Sequence, residues 1–357
     1  MDAKLIRKLK ERSEEGTLRS LSCFDGGSDF FSNDYLGLAR IPFDSLDTNS
    51  GSTGSRLISG TSKEALDCEL FLADHFESEA ALIFNSGYDA NLGFFGSVPQ
   101  KGDTIIYDQL IHASVRDGIK LSNAKSFSFA HNSVTDLEKK IQLSEGTVYV
   151  AVESLYSMDG DLAPLKEIAE ICQQSNAYFI VDEAHAAGVL GKGSSVELEL
   201  QSDIFARIVT FGKAYGAHGA AILGSEELKN YLVNFARSFI YTTALPPSAY
   251  RWIQRNCSMH ITELQQKLHQ NIQLFRGTAS DELLSSDARS PIQIVRMGSI
   301  ERTKALAEKL QQQDFAVKPI FSPTVPKGSE RIRICLHAFN TEREILEMCE
   351  VLMQNSK

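Results

Sequence analysis

Two short apolar runs, each followed at once by polar residues, constrain the fold of this chain more than any other feature. Residues 178–181 continue as Asp182-Glu183-Ala184-His185, and residues 208–210 continue as Phe211-Gly212-Lys213. Short apolar runs rich in β-branched residues are typical of buried parallel strands. Open α/β sheets place their chemistry at the ends of such strands, so Asp182 and Lys213 are candidate site residues.

Strand-like runs alternate with helical patterns through about residue 225. Strands are predicted over residues 80–84, 104–107, 126–131, 147–152, 178–181 and 208–210, with a short one within 30–38, and helices include 1–20 and 248–274. This alternation predicts an α/β fold with a mostly parallel, doubly wound sheet. We expect an N-terminal arm over residues 1–45, a large domain over 46–254 and a small C-terminal α+β domain over 255–357.

The charge balance excludes a general affinity for polyanions. The chain has 46 acidic and 36 basic residues, and a net charge of -10 argues against nucleic acid and anionic membranes as partners. The charged N-terminus has no apolar signal core, which favours a cytoplasmic protein. Six cysteines without a Cys-x-x-Cys pair are expected to be free thiols and not disulfides or zinc ligands.

Several kinds of site could use these strand ends. An isolated aspartate there is usually a turn residue, and a lone lysine is usually a surface charge. Asp-Glu-Ala-His also occurs in nucleic-acid-dependent ATPases, but the sequence has no Walker A loop, no Gly-x-Ser-x-Gly elbow and no metal-ligand spacing. A pyridoxal phosphate (PLP) site uses both ends: a lysine amine forms the Schiff base, and an acid keeps the pyridine nitrogen protonated. We therefore predict PLP as the cofactor and no metal.

Three further segments fit a PLP site less specifically. Ser86, Gly87 and Tyr88 join a strand to a helix, where free backbone amides favour a phosphate, although such a turn is usually only a cap. His112 follows another strand and could stack on a pyridine ring or be purely structural. The glycine- and serine-rich residues 51–61 could cradle an anion or form a flexible connection.

Several motifs in order give a family resemblance from about Phe31 onward. They are Ser32-Asn33-Asp34-Tyr35-Leu36-Gly37, Gly54-Ser55-Arg56-Leu57-Ile58-Ser59-Gly60, Ser157-Met158-Asp159-Gly160-Asp161, Asp182-Glu183-Ala184-His185, Thr210-Phe211-Gly212-Lys213, Tyr241-Thr242-Thr243-Ala244-Leu245-Pro246-Pro247 and Pro323-Thr324-Val325-Pro326. With these motifs the chain resembles the α-oxoamine synthases, a family of fold type I PLP-dependent enzymes. The resemblance implies a large PLP-binding domain, a smaller C-terminal domain and a homodimer with shared active sites.

The resemblance also implies a role for each matching residue. Lys213 would carry the cofactor, Asp182 would pair with the pyridine nitrogen, and His112 would stack on the ring. Ser157 and His185 would bind the ring hydroxyl. The implied phosphate ligands are Ser86, Gly87, Tyr88 and Thr210, with Thr242 or Thr243 from the partner subunit. Arg333 would bind the amino-acid carboxylate with Asn33 beside it, and Arg19 and Thr324 would contact the acyl substrate.

The implied reaction is the decarboxylative condensation of L-alanine with a pimeloyl thioester of coenzyme A or acyl carrier protein. Relatives that use glycine, or serine with a long acyl chain, are alternatives. A catalytically silent partner subunit is the alternative from another class, and Lys213 argues against it because such a subunit has no need for that amine.

Overall fold

The computed structural model describes residues 3–21, 24, 26–42, 49–279 and 284–355. The strands are β1 (Ser28–Asp29), β2 (Ala80–Phe84), β3 (Thr104–Asp108), β4 (Lys125–Phe129), β5 (Val148–Glu153), β6 (Tyr178–Asp182), β7 (Ala206–Thr210), β8 (Ala220–Gly224), β9 (Ile292–Arg296), β10 (Phe315–Ala316), β11 (Lys318–Ile320) and β12 (Arg331–Cys335).

The α-helices alternate with these strands. They are α1 (Ala3–Glu14), α2 (Lys63–His75), α3 (Gly87–Phe95), α4 (Ala113–Leu121), α5 (Val134–Gln142), α6 (Leu165–Gln174), α7 (Ser194–Glu197), α8 (Glu226–Phe235), α9 (Arg237–Ile240), α10 (Pro247–Ser258), α11 (Thr262–Thr278), α12 (Ile300–Gln311) and α13 (Glu342–Asn355). Within the described residues, none of these helices is long and apolar enough to cross a membrane.

The chain divides into two compact units. The larger unit contains Asn33–Ser157 and Leu162–Gln266, and the smaller unit contains the described residues of Met1–Ser32, Met158–Asp161 and Lys267–Lys357. The domain boundaries expected from the sequence, 46–254 and 255–357, stay a prediction.

The larger unit is built on a seven-stranded sheet, counted over the described residues. Its strand order is β2-β8-β7-β6-β5-β3-β4. Strands β4, β3, β5, β6 and β7 run parallel, and β8 is antiparallel to both of its neighbours. The predicted mostly parallel, doubly wound α/β sheet is therefore confirmed.

The central strands are apolar because both faces of the sheet are covered. Ile180 and Ile208 pack into one hydrophobic cluster with residues of α3 and α4. Their neighbours Val181 and Val209 belong to clusters formed with other helices. Since alternate residues point to opposite faces, these strands are mostly apolar up to the carboxyl edge. Arg207 of β7 is an exception, and its buried guanidinium donates to the carbonyl groups of Phe76 and Glu77.

The smaller unit contains a three-stranded antiparallel sheet and a two-stranded parallel pairing, within the part of the chain that is described. The order of the first is β11-β12-β9, and β1 pairs with β10. All five residues of β12 are buried. Helices α12 and α13 supply further buried residues, among them Leu306 and Met348.

Local differences from the sequence prediction include the ends of the N-terminal helix, a break in a long helix and the place of the short first strand. The N-terminal helix ends at Glu14, and the long helix predicted over 248–274 is broken where Met259 adopts an extended conformation with ψ of 145°. The short strand lies at Ser28–Asp29, before the predicted segment. The reason is that Asp29 Oδ1 accepts hydrogen bonds from the backbone N–H groups of Phe31 at 3.1 Å and Ser32 at 3.0 Å, which forms a turn instead of a longer strand.

The cysteines that can be described are buried free thiols. They are Cys68, Cys172, Cys257, Cys335 and Cys349, while Cys23 lies outside the described residues.

Candidate active site

Three neighbouring strands of the larger unit end in polar residues at the same edge of the sheet. Glu153, Asp182 and Thr210 are the last residues of β5, β6 and β7, and all three are buried. The burial of each strand carries these side chains to the carboxyl edge, where α/β proteins bind ligands. The predicted site residues Asp182 and Thr210 therefore belong to one constellation with Glu153, which the sequence reasoning did not select.

Asp182 is held by two hydrogen-bond donors. Its Oδ2 accepts from Asn91 Nδ2 at 2.8 Å, and its Oδ1 accepts from the backbone N–H of Ala184 at 3.0 Å. Both bonds stabilise the negative charge of the carboxylate and fix its orientation. This is the arrangement needed to sustain a positive charge on a bound ring nitrogen.

His112 lies close enough to Asp182 and Lys213 for their charges to affect it. Partial burial lowers the pKa of His112, the carboxylate of Asp182 raises it, and the amine of Lys213 lowers it further. The net direction is downward, so the imidazole is neutral at neutral pH. His112 caps the start of α4, where its Nδ1 accepts from the backbone N–H of Ser114, and the residue as a whole is exposed.

Glu153 has the most perturbed carboxyl group of the site. Burial and the negative charge of Asp182 raise its pKa to about 8, against the opposing effect of Lys213. Its Oε2 accepts from the backbone N–H of Ser157 at 3.3 Å, which places the predicted residue Ser157 at the same strand end. The only signal in the sequence for Glu153 as a site residue was its position as the single acidic residue at the end of the apolar strand β5.

His185 and Asn33 are connected through a buried tyrosine. The hydroxyl of Tyr35 lies 2.8 Å from His185 Nδ1 and donates to Asn33 Oδ1 at 3.2 Å. Since one hydroxyl has a single proton, His185 Nδ1 is the donor in the first bond. The structure thus brings two predicted residues together by means of Tyr35, which was recognised only as part of a motif.

The turn between β2 and α3 forms a candidate anion cradle. Ser86 caps α3, with its Oγ accepting from the backbone N–H of Asp89 at 3.1 Å. A Cβ built at Gly87 would lie 3.8 Å from the Cβ of Thr210, so the helix start and the end of β7 are adjacent. Free N–H groups at a helix start, next to a threonine hydroxyl, suit a phosphate. Tyr88 is less enclosed, and its hydroxyl donates to Asp117.

Thr242 and Thr243 lie beside this cradle within the same chain. Asn85 Nδ2 donates to Thr242 Oγ1 at 3.1 Å and to the carbonyl of Thr243 at 2.8 Å. A contribution from the partner subunit to this site stays a prediction.

The remaining predicted residues lie in the smaller unit. Arg333 is a buried residue of β12, and its Nη1 donates to Cys335 Sγ at 2.9 Å. Arg19 Nη2 donates to Thr324 Oγ1 at 3.1 Å, so the two residues predicted to contact the acyl substrate are neighbours. A cavity of about 770 Å³ in this unit is lined in part by Thr17 and Pro323, which precede these two residues closely in the chain.

The chain belongs to the aminotransferase class I and II family, which its residues 28–352 match. Over 98% of its length it is 41% identical to an 8-amino-7-oxononanoate synthase of Emericella nidulans, of which the alignment covers 94%. It is 37% identical to a protein of the same name from Cellvibrio japonicus, over 90% of this chain and 85% of the relative. These matches confirm the family resemblance predicted from the motifs.

Solved structures show the same fold. A serine palmitoyltransferase from S. paucimobilis, solved with PLP and myriocin bound, has a TM-score of 0.90 at 25% identity and covers 99% of this chain and 96% of its own. The 8-amino-7-oxononanoate synthase of Francisella tularensis has a TM-score of 0.78 at 29% identity, with 92% of this chain and 97% of that chain covered.

Proposed function

We propose that this chain is a PLP-dependent acyltransferase that condenses L-alanine with a pimeloyl thioester and releases carbon dioxide. The product is 8-amino-7-oxononanoate, an intermediate of biotin biosynthesis. The observation that carries the proposal is the similarity to synthases of that name over nearly the whole chain, at 41% identity to one of them. The geometry of the larger unit supports it independently, because its strand ends supply the groups that PLP requires.

The residues of the larger unit fit the cofactor. The buried carboxylate of Asp182, already bound by two N–H donors, would hold the proton of the pyridine nitrogen. The imidazole of His112 would cover one side of the ring, and Ser157 and His185 would bind the ring hydroxyl. The phosphate would be bound by the helix start at Ser86, Gly87 and Tyr88, with Thr210 and one of Thr242 and Thr243.

PLP supplies an electron sink for the charge left when a substrate proton is removed. Lys213 would bind the cofactor covalently through Nζ and, once displaced by the amino acid, the same Nζ would take the Cα proton. Asp182 would keep its carboxylate against the pyridine nitrogen, so that the positive charge there persists while the proton moves. Lys213 and Asp182 both act electrostatically on His112, which supports a common site for the three side chains.

Substrate binding is assigned to the smaller unit and to Asn33. Arg333 would bind the amino-acid carboxylate through a planar pair of N–H donors. Asn33 is proposed as a further substrate-binding residue. The adjacent Arg19 and Thr324 would contact the acyl chain or its thioester. The larger unit would then be the cofactor domain and the smaller unit the substrate domain.

The proposal extends to the oligomeric state and the cellular location of the protein. We expect a cytoplasmic homodimer with shared active sites, in which Thr242 or Thr243 also serves the partner's phosphate. Coenzyme A and acyl carrier protein are both candidate acyl carriers.

A serine-dependent reaction with a long-chain acyl thioester is the second candidate. Solved serine palmitoyltransferases have TM-scores of 0.89 and 0.90 to this chain. Their identities of 25% and 27% are below the 41% found for the alanine-dependent type, which is why we favour alanine. Glycine, as used by 2-amino-3-ketobutyrate ligase, and a catalytically silent partner subunit are further alternatives.

The decisive experiment is a crossed substrate screen with the purified protein and PLP. Alanine, glycine and serine are each combined with pimeloyl-CoA, pimeloyl acyl carrier protein, acetyl-CoA and palmitoyl-CoA, and the products are identified by mass spectrometry. We expect the product of alanine with a pimeloyl thioester. A dominant product from serine or glycine would reject the substrate assignment, and the absence of any product would favour the silent subunit.

A further inference from the structure

A series of hydrogen bonds joins Asp182 to His112 through two buried residues that have no assigned role. Asn91, in α3, donates from Nδ2 to Asp182 Oδ2 at 2.8 Å and to Ser114 Oγ at 3.0 Å. Ser114, in α4, places its Oγ 2.8 Å from His112 Nδ1. Asn91 is 2% exposed and Ser114 is 0% exposed, so the two bonds that Asn91 donates are shielded from water, while the bond between Ser114 and His112 is partly buried.

Helices α3 and α4 can be linked by these hydrogen bonds because the two helices pack closely together. A Cβ built at Gly118 of α4 would be 2.9 Å from the backbone oxygen of Asn91 and 2.9 Å from the Cβ of Phe95. Any larger residue at position 118 would push the helices apart. The glycine therefore sets the distance at which the Asn91 amide reaches Ser114.

The direction of each hydrogen bond follows from the chemistry of the groups. An ionised carboxylate only accepts, so the amide nitrogen of Asn91 must face Asp182, and both of its N–H groups are used. Ser114 Oγ accepts the second of these. Its own proton is then left to donate, and the neighbouring acceptor is His112 Nδ1.

A backbone hydrogen bond indicates independently whether His112 Nδ1 carries a proton. The N–H of Ser114 donates to His112 Nδ1 at 3.3 Å, and an N–H group cannot accept. Nδ1 is therefore without a proton, and the imidazole is neutral with its proton on Nε2. The pKa of His112 agrees in direction: partial burial lowers it, as does Lys213, although Asp182 and Asp117 raise it.

We propose that Asn91 and Ser114 are positioning residues that fix the side chains of Asp182 and His112 relative to one another and hold His112 as the tautomer protonated on Nε2. The proposal rests on the cofactor part of the proposed function and not on the choice of substrate. One consequence is that His112 covers the cofactor ring without adding a positive charge next to Lys213. Another is that the orientation of the Asp182 side chain is coupled to that of His112 through Asn91.

The test is the titration and tautomer of His112 in the full-length protein, measured by NMR of ¹⁵N-labelled histidine with and without PLP. Its signal is identified by comparison with a His112→Asn variant. Ser114→Ala removes the hydroxyl donor, and Asn91→Ala removes the amide that orients this hydroxyl. Ser97→Ala, which removes a hydroxyl bonded to the carbonyl of Gly93 near the end of α3, is the matched control.

In the unaltered protein we expect a protonated Nε2, a bare Nδ1 and a titration midpoint below that of an ordinary histidine. Ser114→Ala should raise the midpoint by about half to one pH unit, since one neutral hydrogen bond that favours the uncharged ring is lost. Asn91→Ala should move it in the same direction and also weaken PLP binding several-fold, because Asp182 loses a donor.

A proton on Nδ1 in the unaltered protein would overturn the proposal. So would a Ser114→Ala midpoint no different from that of Ser97→Ala. Should Asn91→Ala fail to fold, the nearly isosteric Ser114→Ala still decides the question. A protein that takes up no PLP would instead reject the proposed function, and the titration without cofactor would still test the hydrogen bonds that join Asp182 to His112.

Discussion

Glu153 and Asp182 are direct partners across two parallel strands, as the last residues of β5 and β6. Both carboxyl groups are buried, with 3% and 7% exposure. Burial and the negative charge of Asp182 both disfavour ionisation of Glu153. The proton therefore stays with Glu153, whose pKa is raised to about 8 by burial and by Asp182.

This pairing predicts how stability depends on pH. The ordinary pKa of Glu153 is 4.5, so above that value the group ionises in the unfolded chain but not in the folded one until about 8. It therefore lowers the free energy of unfolding progressively as pH rises through that window, and the loss levels off above the folded pKa. Glu153→Gln removes the titrating group, so its melting temperature relative to the unaltered protein should increase with pH.

The measurement is a thermal melt of each protein without cofactor at several pH values between about 5 and 8. Glu138→Gln changes an exposed glutamate of α5 and serves as the control. A difference between Glu153→Gln and the unaltered protein that stays constant with pH would show that Glu153 does not titrate as described.

Lys213 is predicted to be indispensable for two reasons, covalent attachment of PLP and transfer of the Cα proton. Lys213→Ala should lose the visible absorbance of the attached cofactor and reduce turnover by roughly a thousandfold or more. Lys213→Arg should fail as well, because a guanidinium keeps the charge but does not lose its proton. Absorbance and steady-state turnover provide the measurement.

Lys192→Ala is the control for this change. Lys192 Nζ pairs with Glu77 Oε1 at 3.1 Å on the surface and should be dispensable for both readouts. Full turnover in Lys213→Ala would refute the assignment of the lysine.

The elements that the sequence predicted well are those with a continuous pattern. Asp182 and Thr210 could be placed at strand ends because each follows an uninterrupted apolar run, residues 178–181 before Asp182 and residues 208–209 before Thr210. The break at Met259 could not be foreseen, because helical spacing continues on both sides of it.

Residues that act through contacts distant in sequence were missed for a physical reason. Asn91 lies 91 positions from Asp182, and only the packing of α3 under the sheet brings them together. Ser114 lies in the first turn of α4, where a serine is an ordinary residue. Tyr35 contacts His185, which is 150 positions away in the sequence. A polar residue on the buried face of a helix, as at Asn91, was the one signal available.

Arg333 is predicted to determine affinity for the amino acid. Arg333→Lys keeps the charge but loses the planar pair of donors, so the KM for alanine should rise about tenfold to a hundredfold with a smaller effect on kcat. Arg289→Lys, at an exposed residue paired with Asp287, should leave both constants unchanged. A rise confined to the KM of the acyl thioester would assign Arg333 to the other substrate.

Arg19 gives the converse prediction. Its hydrogen bond to Thr324 holds the side chain at the predicted acyl position. Arg19→Ala should therefore raise the KM for the pimeloyl thioester several-fold and leave the KM for alanine unchanged. Initial rates with each substrate varied in turn give the two KM values separately. An increase in the KM for alanine alone would contradict the assignment.

A buried ion pair fixes the glycine-rich loop to the larger unit. Arg56 Nη1 lies 2.8 Å from Glu69 Oε1, and the two side chains are 7% and 1% exposed. Glu69 also accepts from the backbone N–H of Ile83, and Lys229 lies 3.5 Å from its second oxygen. Arg56→Met leaves this carboxylate partly uncompensated, so the free energy of unfolding should fall by about 3–5 kcal/mol.

Urea denaturation of two further variants distinguishes the contribution of the Arg56–Glu69 interaction from the contribution of each residue alone. Replacing both residues, as Arg56→Met with Glu69→Leu, removes the stranded charge and should cost less than the sum of the single changes. Arg343→Ala breaks an exposed pair with Glu347, whose side chains are 85% and 47% exposed, and should cost no more than about 0.5 kcal/mol. Strict additivity in the double variant would mean that Arg56 stabilises the loop by packing against Phe239 and Tyr250 and not through Glu69.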